Sequence, residues 1–181
     1  SAKQEGYARP EVLVETDWVS HHLKDDNVRI AEVDYDPTPN YLSGHVPGAV
    51  LFDWKKDMND PIARDILSKQ QVEDLLGRNG VSNGMTLVLY GDFNNWFAAY
   101  AFWTLKYYGV ENLRLMNGGR KKWLLEDRKL DRDIPSYSRL NFKASNPDET
   151  IRVYRDYVRQ AIAAGGKVLI DVRSPKEFTG E

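Results

Sequence analysis

The chain has 181 residues, 25 basic and 27 acidic side chains, and a net charge of −2. The charges are interspersed, and no apolar run approaches the roughly 18 residues of a membrane span, so neither a nucleic-acid footprint nor a membrane partner is expected. Cysteine is absent, which removes disulfides, thiolate metal sites and a cysteine nucleophile, and the three histidines show no H-E-x-x-H spacing, so neither a metal site nor a cofactor is expected.

Taken in order, Glu11 to Val14 is a short extended run, and Thr16 or Asp17 reads as the N-cap of a helix from about Trp18 to Leu23. Asn27 to Val33 predicts a strand that carries a charged Arg29. A loop from Asp36 to Ser43 follows, kept from helix by Pro37 and Pro39, then a turn, Gly44 to Ala49, and a second strand, Val50 to Trp54. Ser68-x-x-Gln71 is a capping-box pattern opening a helix to about Asn79, which Gly80 ends. Met85 to Tyr90 is almost continuously apolar, as expected of a parallel strand buried on both faces. A loop, Gly91 to Asn95, leads into an aromatic-rich helix from Trp96 to Tyr108, with Gly109 at its end. Leu113 to Met116 is another strand, and Asn117-Gly118-Gly119 turns into a helix around Arg120 to Glu126; Lys121 and Lys122 beside Arg120 read as its solvated face. Strands alternating with helices indicate an α/β domain with a mainly parallel sheet. Residues 130–149 lose periodicity and read as an inter-domain connection. Thr150 is expected to cap a helix from Ile151 to Ala164, and Lys167 to Val172 reads as one more strand.

The stretch Asp34-Tyr35-Asp36-Pro37-Thr38 has the D-x-D-x-T form of an aspartate nucleophile followed by an aspartate acid/base, as in Mg²⁺-dependent phosphatases of the haloacid-dehalogenase type. That chemistry also needs a downstream lysine and a later acidic pair converging on the metal. The only Asp-Asp pair, Asp25-Asp26, lies upstream, so the match reads as accidental. An internal repeat gives another account. Asn27 to Gly44 and Gly166 to Glu181 each follow a helix and run strand, acid, proline-containing loop, aromatic and glycine. Asp171 aligns with either Asp34 or Glu32, and the sequence does not choose between these registers.

The segment Asp171-Val172-Arg173-Ser174-Pro175-Lys176-Glu177-Phe178 resembles the opening motif of a rhodanese domain. Gly44-His45-Val46-Pro47-Gly48-Ala49 resembles that family's G-H-I-P-G-A signature, and Leu115 to Gly119 followed by Trp123 its late L-x-G-G…W turn. The whole chain resembles a tandem-domain thiosulfate sulfurtransferase. The resemblance implies a doubly wound rhodanese-like fold over residues 8–129, a connection over 130–149, and the start of a second such domain over 150–181. It implies a cytoplasmic enzyme whose persulfide-bearing cysteine lies in the second domain, with thiosulfate as sulfur donor and cyanide or another thiophile as acceptor. Gly91 stands at the cysteine's place in the first domain, followed by Asp92. A persulfide and an anionic donor need N–H donors and cations rather than a carboxylate, so this chain alone is expected to be inert.

Arg173 is the implied substrate-binding residue, because a guanidinium can fork to two sulfonate oxygens. Its bland alternative is an ordinary salt bridge. Glu177 is expected to hold Arg173 or cap a loop, His45 to orient its turn, Gly118 and Gly119 to supply positive φ, the aromatic helix to pack rather than stack on bases, and Asn94 and Asn95 to lie near the vacated nucleophile position or against a second domain. Two further readings stay open: a cysteine-free binding or structural module, and the phosphatase using Asp34 and Asp36.

Overall fold

The computed structural model describes residues 6–181. The N-terminal stretch, SAKQEGYARPE, read from sequence as lacking an apolar signal core, therefore lies in part outside the described residues. No described helix is long and apolar enough to cross a membrane. The chain divides into two compact units, one ending at Asp148 and one from Glu149 to Glu181.

The first unit is a five-stranded, wholly parallel sheet with strands in the order β1-β5-β4-β2-β3. These are β1 (Leu13–Val14), β2 (Val28–Asp34), β3 (Val50–Asp53), β4 (Thr86–Tyr90) and β5 (Leu113–Met116). The helices are α1 (Thr16–His21), α2 (Trp54–Asp57), α3 (Lys69–Arg78), α4 (Trp96–Tyr107) and α5 (Gly119–Leu125). Strand residues alternate between faces with period two. On β4, Leu87 and Leu89 join Ala31 and Val33 of β2 under α3 and α4, whereas Val88 and Tyr90 join Val28 and Ile30 under Val19 of α1 and Trp123 of α5. Both faces are covered, which is why β4 is apolar at consecutive positions. The alternation also commits Glu32 and Asp34 to the α1/α5 face.

Local signals place most elements as expected. The Ser68–Gln71 capping box is formed in both directions, and Gly109 follows α4 with φ +75°. α1 begins earlier than expected, with Glu15 as N-cap and no side-chain cap. Both candidate caps are drawn elsewhere: Thr16 Oγ1 donates to Glu126 at 2.5 Å, and Asp17 pairs with Arg128.

Residues 130–148 contain no helix and only one isolated bridge, yet they are built into the first unit. His45 and Asp131 exchange backbone hydrogen bonds of 2.8 Å, the Arg29 guanidinium lies 3.2 Å over the ring of Tyr137, and Leu140 N donates to Gly77 O. Phe142 and Ala144 are buried in the main core, and the backbone N–H groups of Ser145 and Asp148 donate to Tyr108 and Tyr107. The cation–π contact also explains how a charged Arg29 sits inside β2.

In the second unit, α6 (Arg155–Ala164) starts at an uncapped Tyr154, not at Thr150. The β-branched Ile151 and Val153 are weak helix formers in the turn Thr150 would have opened. The expected strand from Lys167 to Val172 is not a strand, and Val168 and Val172 are each 88% exposed. A strand exists only through a neighbour's hydrogen bonds, and among the described residues none pairs with this segment. α7 (Pro175–Thr179) follows, capped by Ser174 and Glu177 in a second capping box.

Candidate functional site

Between β2 and β4 the strand order reverses, and in open parallel sheets the crevice beyond the strand C-termini at such a point is where ligands bind. Here that edge is filled by a polar network. Glu32 and Tyr90 are register partners, so their side chains meet: the Tyr90 hydroxyl donates to Glu32 Oε2 and accepts from Val46 N at 2.9 Å. Arg120, on the first turn of α5, donates through Nη1 to Glu32 Oε1 at 2.7 Å and through Nη2 to the carbonyls of Gly44 (2.6 Å) and Asn40 (3.1 Å). Glu32 is wholly buried and Arg120 nearly so. One guanidinium thus joins β2, the loop after it and the Gly44–Ala49 turn.

The loop after β4 is held by one amide. Asn95 accepts from Gly91 N at 3.0 Å and donates to Met116 O at 2.8 Å, while Arg120 N donates to Gly91 O. Phe93, Asn94 and Asn95 all have positive φ, an unusual run for non-glycine residues. Two close approaches need glycine. A Cβ at Gly119 would overlap the Asn95 side-chain oxygen Oδ1, and one at Gly91 would overlap the Val33 backbone oxygen, well inside van der Waals contact. The place expected for a nucleophile in this unit is therefore packed against a strand backbone and has no room for a side chain.

What faces the edge is acidic. Asp34 is wholly buried, its Oδ2 accepting from Tyr41 N and its Oδ1 without a partner. Asp92 accepts from Asn40 Nδ2 at 2.5 Å, with its other oxygen also buried and unpaired. Burial, reinforced by Glu32 and Asp92, pushes the Asp34 carboxyl up to about 8. Burial also raises Glu32 to about 7, winning over the opposing pull of Arg120 and Tyr90, and raises Asp92. A carboxyl neutral at pH 7 is a poor nucleophile, and Asp36 is exposed, accepting from Thr38 N within its own turn. The D-x-D-x-T reading gains no support from this geometry. Among the described residues no group of three or more His, Cys, Asp or Glu is placed to hold a metal ion.

The pH dependence of stability follows from the raised groups. Unfolded Asp and Glu titrate near ~4, so the stability that Asp34 and Glu32 contribute is present below that and is lost as pH rises through about 7 and about 8. The domain is expected to lose on the order of 5 kcal/mol between about pH 5.5 and about pH 9, with Asp34 the larger contributor. Denaturant melts check this, and Asp34→Asn should flatten most of the slope.

The remaining sequence candidates have plain positions. His45 is buried, stacked on Tyr41 at 3.9 Å with Nδ1 2.9 Å from Tyr41 O, an orienting role. Gly118 and Gly119 have φ of +79° and +57°. The aromatic helix packs mostly inward, with Phe97 and Tyr100 edge-on to Trp54, but Trp96 at its start and Phe93 in the loop before it stand 68% and 62% exposed. In the second unit, Arg173 forks onto Asp171, and Glu177 caps α7. The Glu32–Arg120–Tyr90 network and the Asn95 bridge were not anticipated. Their one sequence signal is Glu32 and Asp34 at the end of a strand with no solvent face, where buried charge requires a partner.

The model of the rhodanese-like domain matches residues 15–126. This chain belongs to the rhodanese family. It is 51% identical over 179 residues to the sulfur carrier protein TtuD of Thermus thermophilus, covering 97% of this chain and 62% of that protein. It is 48% identical over 174 residues to a protein of Saccharopolyspora erythraea provisionally named thiosulfate sulfurtransferase, covering 96% and 61%. Among solved structures, SseA from Escherichia coli, described with the rhodanese fold of 3-mercaptopyruvate sulfotransferases, superposes with a TM-score of 0.81 at 25% identity, over 92% of this chain and 67% of that one. The five-stranded parallel sheet is thus the rhodanese fold. The chain spans about 62% of the length of the first of these curated relatives.

Proposed function

We propose that this chain is the non-catalytic first domain, the connection and the opening of the second domain of a tandem rhodanese that moves sulfane sulfur from thiosulfate to cyanide or another thiophile. The observation that carries the reading is the first unit's sheet edge. It keeps the family's frame, but it holds three carboxyl groups and a guanidinium already committed to Glu32, Asn40 and Gly44, with no space for a thiol at Gly91. An anionic donor finds neither a free cation nor a nucleophile there. The names of the relatives, which match over nearly the whole chain, support sulfur transfer as the activity of the longer protein.

In this reading a cysteine thiolate beyond Glu181 attacks the outer sulfur of thiosulfate. The S–S bond breaks, sulfite leaves with the electron pair, and the sulfur stays as a persulfide. Cyanide or another thiophile then attacks that outer sulfur and regenerates the thiolate. Arg173 binds the anionic donor. A free thiolate of this kind suits a reducing compartment, and we place the protein in the cytoplasm.

Thiosulfate:cyanide assays test the reading. The full-length protein should form thiocyanate, and residues 1–181 alone should form none. Phosphate-ester hydrolysis that needs Mg²⁺ and disappears in Asp34→Asn would instead restore the phosphatase reading.

A further inference from the structure

His45 stands where the Gly44–Ala49 turn meets residues 130–148, the stretch that completes the first unit. Its backbone exchanges hydrogen bonds with Asp131, and its buried ring lies between two carbonyl groups. Nδ1 is 2.9 Å from Tyr41 O, and Nε2 is 3.3 Å from Asp133 O. The second carbonyl is set in place by a turn, in which Asp131 Oδ1 accepts from Arg132 N at 2.8 Å and from Asp133 N at 3.2 Å. Carbonyl oxygens only accept, and a neutral imidazole carries one N–H and one lone pair. The neutral ring therefore satisfies one of the two carbonyls, and the shorter contact assigns its proton to Nδ1. Nε2 then turns a lone pair towards Asp133 O. Only the imidazolium, with a donor on each nitrogen, makes both bonds.

We propose that His45 is a proton-operated clasp: a proton on Nε2 fastens the Asp131–Asp133 turn to the loop before Gly44, and its loss releases that turn while the bond to Tyr41 O persists. The surroundings suit a cation. The Tyr41 ring is stacked on the imidazole at 3.9 Å, and an aromatic face attracts positive charge. Asp131 is anionic: the N–H groups of Asp133 and Arg132 hold its carboxyl low, and the charges of Lys129 and His45 add to this. Asp133 itself is exposed. Two other cations are near. Arg132 donates to Ser43 O, and Arg120 of α5 donates to Gly44 O with its charge offset by Glu32 of β2. From β4, Tyr90 brings a neutral hydroxyl to Val46 N. Because the fastened form holds one more proton than the released form, falling pH favours fastening and rising pH favours release.

The test uses the full-length protein at about pH 5.5 and about pH 8.5, on either side of the ordinary histidine range. Ring-nitrogen NMR of ¹⁵N-labelled histidine counts the protons on Nδ1 and Nε2. His21 and His22, which also set Nδ1 against a carbonyl four residues earlier, are the internal comparison. Hydrogen exchange, corrected for the intrinsic rate at each pH, reads the Asp131 and Asp133 amides. His45 is expected to carry both protons at the lower pH and only the Nδ1 proton at the higher. Protection of the two amides should fall about tenfold between them, the scale of one charge-assisted hydrogen bond. His45→Asn keeps an amide N–H near the place of Nδ1 and has nothing at Nε2, so most of this pH response should vanish. Asp34→Asn, which removes the main carboxyl contribution to the pH dependence of global stability, should retain it. A ring charge that is the same at both pH values overturns the proposal: neutral throughout, the Asp133 bond is not made; cationic throughout, the clasp is fixed. A ring that titrates while the two amides do not respond overturns it as well. Should His45→Asn fail to fold, Asp34→Asn decides, and a pH response of the two amides that disappears there overturns the proposal.

Discussion

Arg120→Met is expected to cost the first unit about 3–5 kcal/mol, the usual consequence of removing one partner from a buried ion pair. The loss has three parts. Glu32, wholly buried, is left without its counter-ion, and the carbonyls of Asn40 and Gly44 lose their shared donor. The loop after β2 and the Gly44–Ala49 turn also lose the group that joins them. The pH response separates these contributions. Glu32 already sits at about 7 with Arg120 beside it; without the guanidinium it binds a proton more readily, so the penalty should be larger at about pH 8.5 than at about pH 5.5. A double variant, Glu32→Met with Arg120→Met, removes both charges and should recover more than half of the loss, since apolar replacement of a whole buried pair is often near neutral. Denaturant melts of the four proteins complete the cycle. A single-variant loss below about 1 kcal/mol, typical of a surface pair, would mean that this network does not close the edge.

The second large effect concerns the vacated nucleophile position. Gly91→Cys restores the residue type that the rhodanese resemblance implies for an active domain, yet it should produce no sulfur transfer and should destabilise the protein by about 3 kcal/mol, the upper range for overpacking. The cause is backbone, not side chain. The new Cβ meets the Val33 carbonyl, which cannot rotate away because β2 is hydrogen-bonded on both sides. Moving Gly91 instead would disturb the 3.0 Å bond to Asn95 and the Arg120 N–H bond to Gly91 O. Gly91→Ala serves as the control without a thiol and should lose nearly as much. A stable Gly91→Cys protein that takes up sulfur from thiosulfate would contradict both the geometry and the non-catalytic assignment of this unit.

What could be read from the sequence was what is decided locally or by periodicity. The apolar run ending at Tyr90 made a buried parallel strand, Ser68 and Gln71 made their capping box, and the glycines at 118 and 119 took the positive φ that their turn needs. The candidate site was legible only as an absence, a glycine and an aspartate where the family resemblance expects a thiol. Its content was not legible, because Glu32, though placed at the end of a buried strand, lies 88 positions from Arg120, and nothing in the sequence singles out Arg120 as its partner. Asn95 read as a loop residue near the vacated nucleophile position or against a second domain, but its bridge was not legible, because its two partners, Gly91 N and Met116 O, are backbone atoms brought near by the fold. The strand expected at Lys167 to Val172 failed for a related reason, since apolar composition names a strand but its neighbours make one.

The segment from 130 to 148 sets the order in which the protein can be made. Its Phe142 and Ala144 complete the core built by α3, α4 and the sheet, and its backbone partners lie on the Gly44–Ala49 turn and at the C-terminal ends of α3 and α4, all synthesised earlier. Until residue 148 leaves the ribosome, the nascent first unit carries every strand of its sheet but an unsealed core. Folding of this unit during synthesis, at ~5–20 residues per second, is therefore gated by a stretch with no regular structure of its own, and a pause in translation just before it would hold the chain in its most aggregation-prone state.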